Sequence, residues 1–140
     1  MKEKSKILIL GSDSQIGQSL FKKKFNNKNF IFTNRKKIDF LDIDFEKKII
    51  KINPNLIINL VAFTNVELAE VKKKLCKQIN FFAVKKIVKI CEKFSIKLIH
   101  ISTDYVFTNN VNKKINVNKS KAPLNYYGYT KSLAEDCITK

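Results

Sequence analysis

Short apolar runs alternate with amphipathic stretches along this chain of 140 residues. Lys6-Ile7-Leu8-Ile9-Leu10 is continuously apolar after its lysine and stops at Gly11, the pattern of a strand buried on both faces of a parallel sheet. Gln15 to about Asn26 has helical spacing, with Ile16, Leu20 and Phe21 facing inward. Asn29-Phe30-Ile31-Phe32-Thr33 reads as a second strand and Ile38-Asp39-Phe40 as a short third. Asp44 to Ile52 is a helix with Asp42 or Asp44 as N-cap, ending before Asn53-Pro54 because proline drives the preceding residue out of the α region. Leu56-Ile57-Ile58-Asn59-Leu60-Val61 is a fourth strand.

From about Lys74 to Phe94, Ile79, Phe82, Ala83, Ile87, Ile90, Cys91 and Phe94 recur at threes and fours, marking one face of a long helix. Lys85, Lys89 and Lys93 mark its solvated side. Leu98 to Ser102 is a fifth strand, a polar loop covers residues 108–121, and a last helix runs from about Leu124 to the C-terminus. Regular strand–helix alternation and right-handed crossovers predict an α/β fold: a Rossmann-type doubly wound parallel sheet, strand order 3-2-1-4-5, with helices on both faces. It fills residues 1–140 as one domain, without repeats or a linker.

Composition narrows the function. A chain this long, 44% hydrophobic, supports one real core. No apolar run is long enough to span a bilayer and no signal peptide opens the chain, so a soluble, cytoplasmic protein without a membrane partner is expected. The net charge of +16 is almost all lysine, Arg35 being the single arginine. The lysines are scattered, and no arginine or aromatic ladder accompanies them. That predicts salt-sensitive adhesion to polyanions and no specific nucleic-acid partner. Cys76, Cys91 and Cys137 have no metal-ligand spacing, and Cys76 and Cys91 fall roughly 22 Å apart on one straight helix, so free thiols are expected.

Three segments carry chemistry. Gly11-Ser12-Asp13-Ser14-Gln15-Ile16-Gly17 joins a strand to a helix, where a pyrophosphate can lie on free N–H groups at the helix N-terminus. Two glycines also suit an ordinary structural turn. The second strand ends at Thr33-Asn34-Arg35-Lys36-Lys37, with no carboxylate to accept from ribose hydroxyls; Arg35 and its lysines suit the extra phosphate of NADP, or form a solvated basic turn. Tyr127 and Lys131 are four residues apart, hence on one helical face. A lysine ammonium there lowers the tyrosine pKa, and the tyrosine can hand a proton to a carbonyl oxygen. The bland alternative is a packed aromatic beside a surface lysine. Ser102-Thr103-Asp104-Tyr105, at the end of the fifth strand, puts hydroxyls in the same chemistry. His100 reads as a packed strand residue. Asp104 and Glu67 suit either a substrate hydroxyl or a local backbone cap.

Together these residues resemble the extended short-chain dehydrogenase/reductases, and within them the dTDP-4-dehydrorhamnose reductase family. The matching stretches are residues 11–17, 38–40 and 59–70, Asn80, Ser102-Thr103-Asp104-Tyr105-Val106-Phe107, and Pro123-Leu124-Asn125-Tyr126-Tyr127-Gly128-Tyr129-Thr130-Lys131. The resemblance implies reduction by NADP(H), or NAD(H), of the C4 keto group of dTDP-4-dehydro-6-deoxy-L-mannose to give dTDP-L-rhamnose. Tyr127 would protonate the keto oxygen and Thr103 would hydrogen-bond it. Lys131 would bind the nicotinamide ribose. Gly11, Ser14, Gln15, Ile16, Gly17, Asn34 and Arg35 would bind the phosphates and adenosine, with Asp39 and Phe40 by the adenine. Ala62, Phe63 and Thr64 would line the cofactor, Asn80 would hold the neighbouring loops, and Val66, Glu67, Ser102, Asp104 and Tyr105 would face the sugar. Asp104-Tyr105 stands where the related dehydratases carry Asp-Glu, which removes the base for eliminating water.

Ser14 replaces the usual middle glycine, and Asn59-Leu60-Val61-Ala62 replaces an alanine-rich run. Ile115, Val117 and Lys119 stand where the family carries a YxExD segment. Family members run to roughly twice this length, so the chain is expected to stop before the substrate-binding portion, with turnover impaired. Magnesium occurs in the family, but no ligands for it are found here. The expected partners are the dTDP-sugar and either a second copy or a separate C-terminal half. A non-catalytic NADP-binding regulatory subunit of this fold, or an inactive remnant, is the alternative.

Overall fold

A computed structural model describes residues 5–24, 26–108, 114–116 and 118–139. Four strands, β1 (Ile7–Leu10), β2 (Phe30–Thr33), β3 (Leu56–Asn59) and β4 (Lys97–His100), form one parallel sheet in the order β2-β1-β3-β4. The two middle strands are the most buried: Leu8, Ile9 and Ile57 are fully buried. In register, Leu10 pairs with Thr33 on one side and Asn59 on the other, and Asn59 pairs with His100. A row of polar groups therefore lines the carboxyl edge of the sheet, where open α/β folds bind ligands.

The helices are α1 (Gln15–Lys24), α2 (Phe45–Ile52), α3 (Val66–Val71), α4 (Lys73–Lys77), α5 (Ala83–Phe94) and α6 (Tyr126–Ile138). A π-helical turn, Gln78–Phe82, joins α4 to α5, and a 3₁₀ turn, Asp104–Val106, follows β4. The chain divides into two compact units. The first, Met1–Val61 with Lys86–Ile101, holds the sheet, α1, α2 and most of α5. The second, Ala62–Lys85 with Ser102–Lys140, packs α6 against α3, α4, the π turn and the 3₁₀ turn.

The expected order 3-2-1-4-5 holds for the strands that form, but residues 38–40 stay out of the sheet. The Ile38 N–H is spent on the Asn34 carbonyl at 2.9 Å, and the Asp39 carbonyl accepts from Asp42 N–H at 3.0 Å, so two turns replace a ladder. Ile38 and Phe40 are buried all the same, and Phe40 packs on Phe45 with ring centroids 5.3 Å apart. On α1, Ile16 and Phe21 are about half exposed rather than inward. Buried Gly17 takes the inward position, and Phe21 meets Phe32 of the edge strand edge-on at 5.1 Å. The long helix expected over residues 74–94 is three elements, with α3 ahead of it unforeseen. Ala83, Ile87, Ile90 and Cys91 are buried as expected, whereas Phe82 and Phe94 are substantially exposed.

Asp44 stands at the N-cap of α2 without a side-chain cap bond, and Asp42 Oδ1 accepts from Asp44 N–H instead. Asn53 closes the helix in the left-handed region, φ 50°, bonding back to the carbonyls of Ile49 and Ile50. All three cysteines are free thiols. Among the described residues, no helix is long and apolar enough to cross a membrane. The loop expected over residues 108–121 falls partly outside the described residues, as does Val117 within it.

Phe45 is 1% exposed, touches Phe40 and lies under the Lys86 ammonium at 5.4 Å. Phe45→Ala is expected to lower unfolding stability by about 3–5 kcal/mol, measured by urea denaturation. A loss below about 1 kcal/mol would mean that the segment around Phe40 does not pack here.

Candidate active site

The glycine turn belongs to the first unit. Gly11 adopts φ +84°, a conformation that favours glycine, and its N–H and that of Ser12 bond the Thr33 carbonyl at 3.0 and 2.9 Å. The turn is thus laced to the end of β2. A Cβ at Gly17 would lie 2.5 Å from the Gly11 carbonyl oxygen, so only glycine lets α1 begin this close to the strand. Ser14 does not crowd the turn. Its hydroxyl accepts from Gly17 N–H at 3.1 Å, making it the cap of α1 and leaving the Gln15 and Ile16 amides at the helix N-terminus.

After β2, Arg35 Nε donates to Asp39 Oδ2 at 2.9 Å, while most of the arginine side chain stays exposed. Burial works against the Asp39 charge, but the Leu41 N–H and the Arg35 guanidinium outweigh it and hold the carboxyl below its usual range. Phe40 lies in the core rather than on a surface open to a ligand. At the carboxyl edge, Asn59 Nδ2 meets His100 Nδ1 at 3.1 Å and Asn59 Oδ1 accepts from Val61 N–H at 3.0 Å. His100 is accordingly a bonded strand residue.

The second unit holds Thr103, Tyr127 and Lys131. Tyr127 and Lys131 lie on α6 and both are buried, at 9% and 2% exposure. The Thr103 hydroxyl acts on the Tyr127 phenol by favouring its ionised form. Thr103 Oγ1 donates to Asp104 Oδ1 at 3.2 Å and accepts from Tyr105 N–H at 3.3 Å. The Tyr105 ring stands edge-on to Tyr127, centroids 5.8 Å apart. Burial pushes the Tyr127 phenol up, against a smaller downward pull from the Thr103 hydroxyl. Burial pulls Lys131 down to about 8, opposed by the Glu135 carboxylate. The expected lowering of the tyrosine pKa by its lysine is not found: burial is the largest influence on both groups, and Lys131 is not among those that shift Tyr127.

The N-terminus of α6 is fixed twice. Asn125 Oδ1 accepts from Gly128 N–H at 2.7 Å, and Glu70 Oε1 of α3 accepts from Tyr126 N–H at 2.6 Å. A Cβ on Gly128 would overlap the Tyr105 carbonyl oxygen, so this glycine seats α6 on the 3₁₀ turn. Asn80, 1% exposed, grips both the N–H and the carbonyl of Phe63 at 2.7 and 3.1 Å and reaches Thr130 Oγ1 at 3.1 Å. Thr130 Oγ1 in turn donates to the Tyr127 carbonyl at 2.8 Å. Ala62 and Phe63 are half-buried and Thr64 is exposed. Val66 and Glu67 open α3, whose cap is Asn65, not Glu67. Ser102 donates to Glu135, on α6. No group of three or more His, Cys, Asp or Glu among the described residues could hold a metal ion.

Residues 5–140 match the family model of the RmlD substrate binding domain. The chain belongs to this family. Among curated relatives, the dTDP-4-dehydrorhamnose reductase of Escherichia coli K12 is 31% identical over 138 residues, covering 94% of this chain and 46% of the relative. That of Aggregatibacter actinomycetemcomitans is 29% identical over 137 residues, with the same coverage. Among solved structures, the dTDP-4-dehydrorhamnose reductase of Bacillus anthracis in complex with NADP superposes with a TM-score of 0.90 at 26% identity, over 99% of this chain and 50% of that one. The chain thus spans about half the length of the relatives it matches.

Three residues of this RmlD-family chain carry roles that sequence reasoning did not assign. Gly128 and Thr130 stood inside a recognised stretch, but their work, seating and tying α6, depends on partners distant in sequence. Cys76 touches Thr130 Oγ1 at 3.4 Å in the same buried cluster, and only its helical position hinted at that.

Lys131 yields a pH prediction. In the unfolded chain it holds its proton up to about 10.5, in the fold only to about 8. Between those values the unfolded state binds more protons, so this contribution to stability rises with pH and is complete above about 10.5. Relative to Lys131→Met, wild type should gain up to about 3 kcal/mol from pH 8 to pH 10.5, read by denaturant titration at each pH. A flat difference would show that the lysine is not desolvated.

Proposed function

We propose that this chain carries the cofactor-binding and proton-transfer residues of a dTDP-4-dehydrorhamnose reductase. The reaction is reduction of the C4 keto group of dTDP-4-dehydro-6-deoxy-L-mannose to dTDP-L-rhamnose, with NADP(H), or NAD(H), as reductant. The observation that carries the reading is the presence of Thr103, buried Tyr127 and buried Lys131 on one packed unit. Membership of a family whose relatives bear that activity in their names supports it.

The chain fits a nicotinamide dinucleotide. Gly17, which admits no Cβ, and the free amides of Gln15 and Ile16 suit a pyrophosphate at the start of α1. Arg35, exposed beyond its bond to Asp39, is available to a ribose phosphate. The cofactor, when bound, supplies a hydride for the C4 carbon.

The residues of the chain manage the proton. Tyr127 rests protonated, because burial disfavours the phenolate. As negative charge grows on the keto oxygen, Tyr127 gives it the proton and Thr103 donates a hydrogen bond to the same atom, turning away from Asp104. The tyrosinate left behind is the charge that an ammonium at Lys131 stabilises. That ammonium is half titrated near pH 8, so the product side of the proton transfer is favoured below that value. Asp104 and Tyr105 supply no second carboxylate, in keeping with reduction rather than elimination.

Turnover should be assayed with the dTDP-keto sugar and NADPH, on the chain alone and with the C-terminal half of the E. coli relative added. Addition should raise the rate, because positioning of the sugar contributes much of a barrier reduction. Tyr127→Phe should lower the complemented rate by roughly 10²–10⁴-fold while cofactor affinity holds within about twofold. A Tyr127→Phe chain as active as wild type would refute the assignment.

A further inference from the structure

A cavity of about 500 Å³ lies in the first unit, beyond the carboxyl ends of β1 and β2, lined by residues of the glycine turn, α1 and the turn after β2. Its apolar wall is Phe21 and Phe32. Lys22 and Lys37 supply cationic lining, as expected where an anionic cofactor binds. Asp13 does not fit that pattern. Its carboxylate stands in the turn that should attract phosphate, and it lines the same cavity.

The partner of Asp13 is Asn34. Asn34 Nδ2 donates to Asp13 Oδ1 at a long 3.4 Å, while Asn34 Oδ1 is buried without a hydrogen-bond partner. The bonds from Gly11 and Ser12 to Thr33 hold the two residues side by side. The pair is half-satisfied: one acceptor carries a net charge, the other lacks a donor. A phosphate brings only acceptors and repels the carboxylate. A sugar hydroxyl brings a donor for Asp13, which releases the Asn34 amide to turn and pair its own oxygen.

We propose that Asp13 is a cofactor-discriminating residue, which with Asn34 accepts from the adenosine ribose hydroxyls and disfavours a phosphate esterified to that ribose. This rests on the nicotinamide-dinucleotide reading above. It sets Asp13 and Arg35 against each other: the arginine attracts the extra phosphate of NADP(H), and the aspartate opposes it from the glycine turn.

The test titrates the full chain with ADP-ribose and with its 2′-phosphate, which isolate the adenosine end, and then with NADH and NADPH. Asp13→Asn keeps the shape and removes the charge, and Asp13→Ser serves as a second variant. Both lie on an exposed turn, and thermal melting checks their folding. The ratio of affinities should move toward the phosphorylated ligands by roughly three- to tenfold, and the shift should shrink when ionic strength is raised. Probes that bind with an unmoved ratio in both variants would overturn the role of Asp13 and leave the reductase reading standing. A chain that binds none of the four ligands would overturn both.

Discussion

The placement of Tyr127 and the first turn of α6 depends on one buried amide, that of Asn80. Its oxygen takes the Phe63 N–H and its nitrogen gives to the Phe63 carbonyl and to Thr130 Oγ1. Thr130 passes the link to the Tyr127 carbonyl. One side chain thereby fixes the stretch after β3 and the first turn of α6 together. The π turn that carries Asn80 inserts an extra residue into the helical run, a local irregularity that helices keep where a side chain must be aimed. Removing the amide would leave the partly buried N–H and carbonyl of Phe63 without this partner and cut the link to Thr130. Each loss costs about 1–3 kcal/mol, so the network forms as a whole or fails as a whole.

On that frame, desolvation rather than charge–charge attraction sets the chemistry of Tyr127 and Lys131. Burial raises the phenol and brings the ammonium down to about 8. Both shifts favour the neutral forms. A proton donor benefits, since it must keep its proton until negative charge appears on the acceptor. Attraction between tyrosinate and ammonium matters only once the tyrosinate exists. In the proposed reaction, a lysine that already lowered the resting tyrosine pKa would cost the tyrosine the proton it is to donate.

The strands were legible because a parallel strand covered on both faces must be apolar at successive positions, as Ile7-Leu8-Ile9-Leu10 is. Crossover handedness then gave their order. Ile38-Asp39-Phe40 has the same local look, but the Asn34 carbonyl claims the Ile38 N–H and leaves the ladder without it. Helix α3, six residues long, is too short to show a period, and its cap Asn65 was the one local sign of it. A π turn has no composition of its own. The hydroxyl, tyrosine and lysine of the site were legible as a spacing, whereas the partners that hold them were not. Glu70 reaches Tyr126, and Ser102 reaches Glu135, across intervals that only the fold closes.

Composition argues last for Lys131. The chain is so rich in lysine that any one lysine, read alone, is background. Background lysines drift into positions where a solvated ammonium costs nothing, as Lys85, Lys89 and Lys93 do on the open side of α5. Of the charged side chains among the described residues, Lys131 is the one in the buried class, at 2% exposure. A buried ammonium opposes folding at neutral pH, and methionine or leucine would fill the same space without that penalty. Compositional drift therefore accounts for the surface and not for this position. The lysine that is hardest to keep stands one helical turn from buried Tyr127, and its charge is what the proposed proton transfer would use.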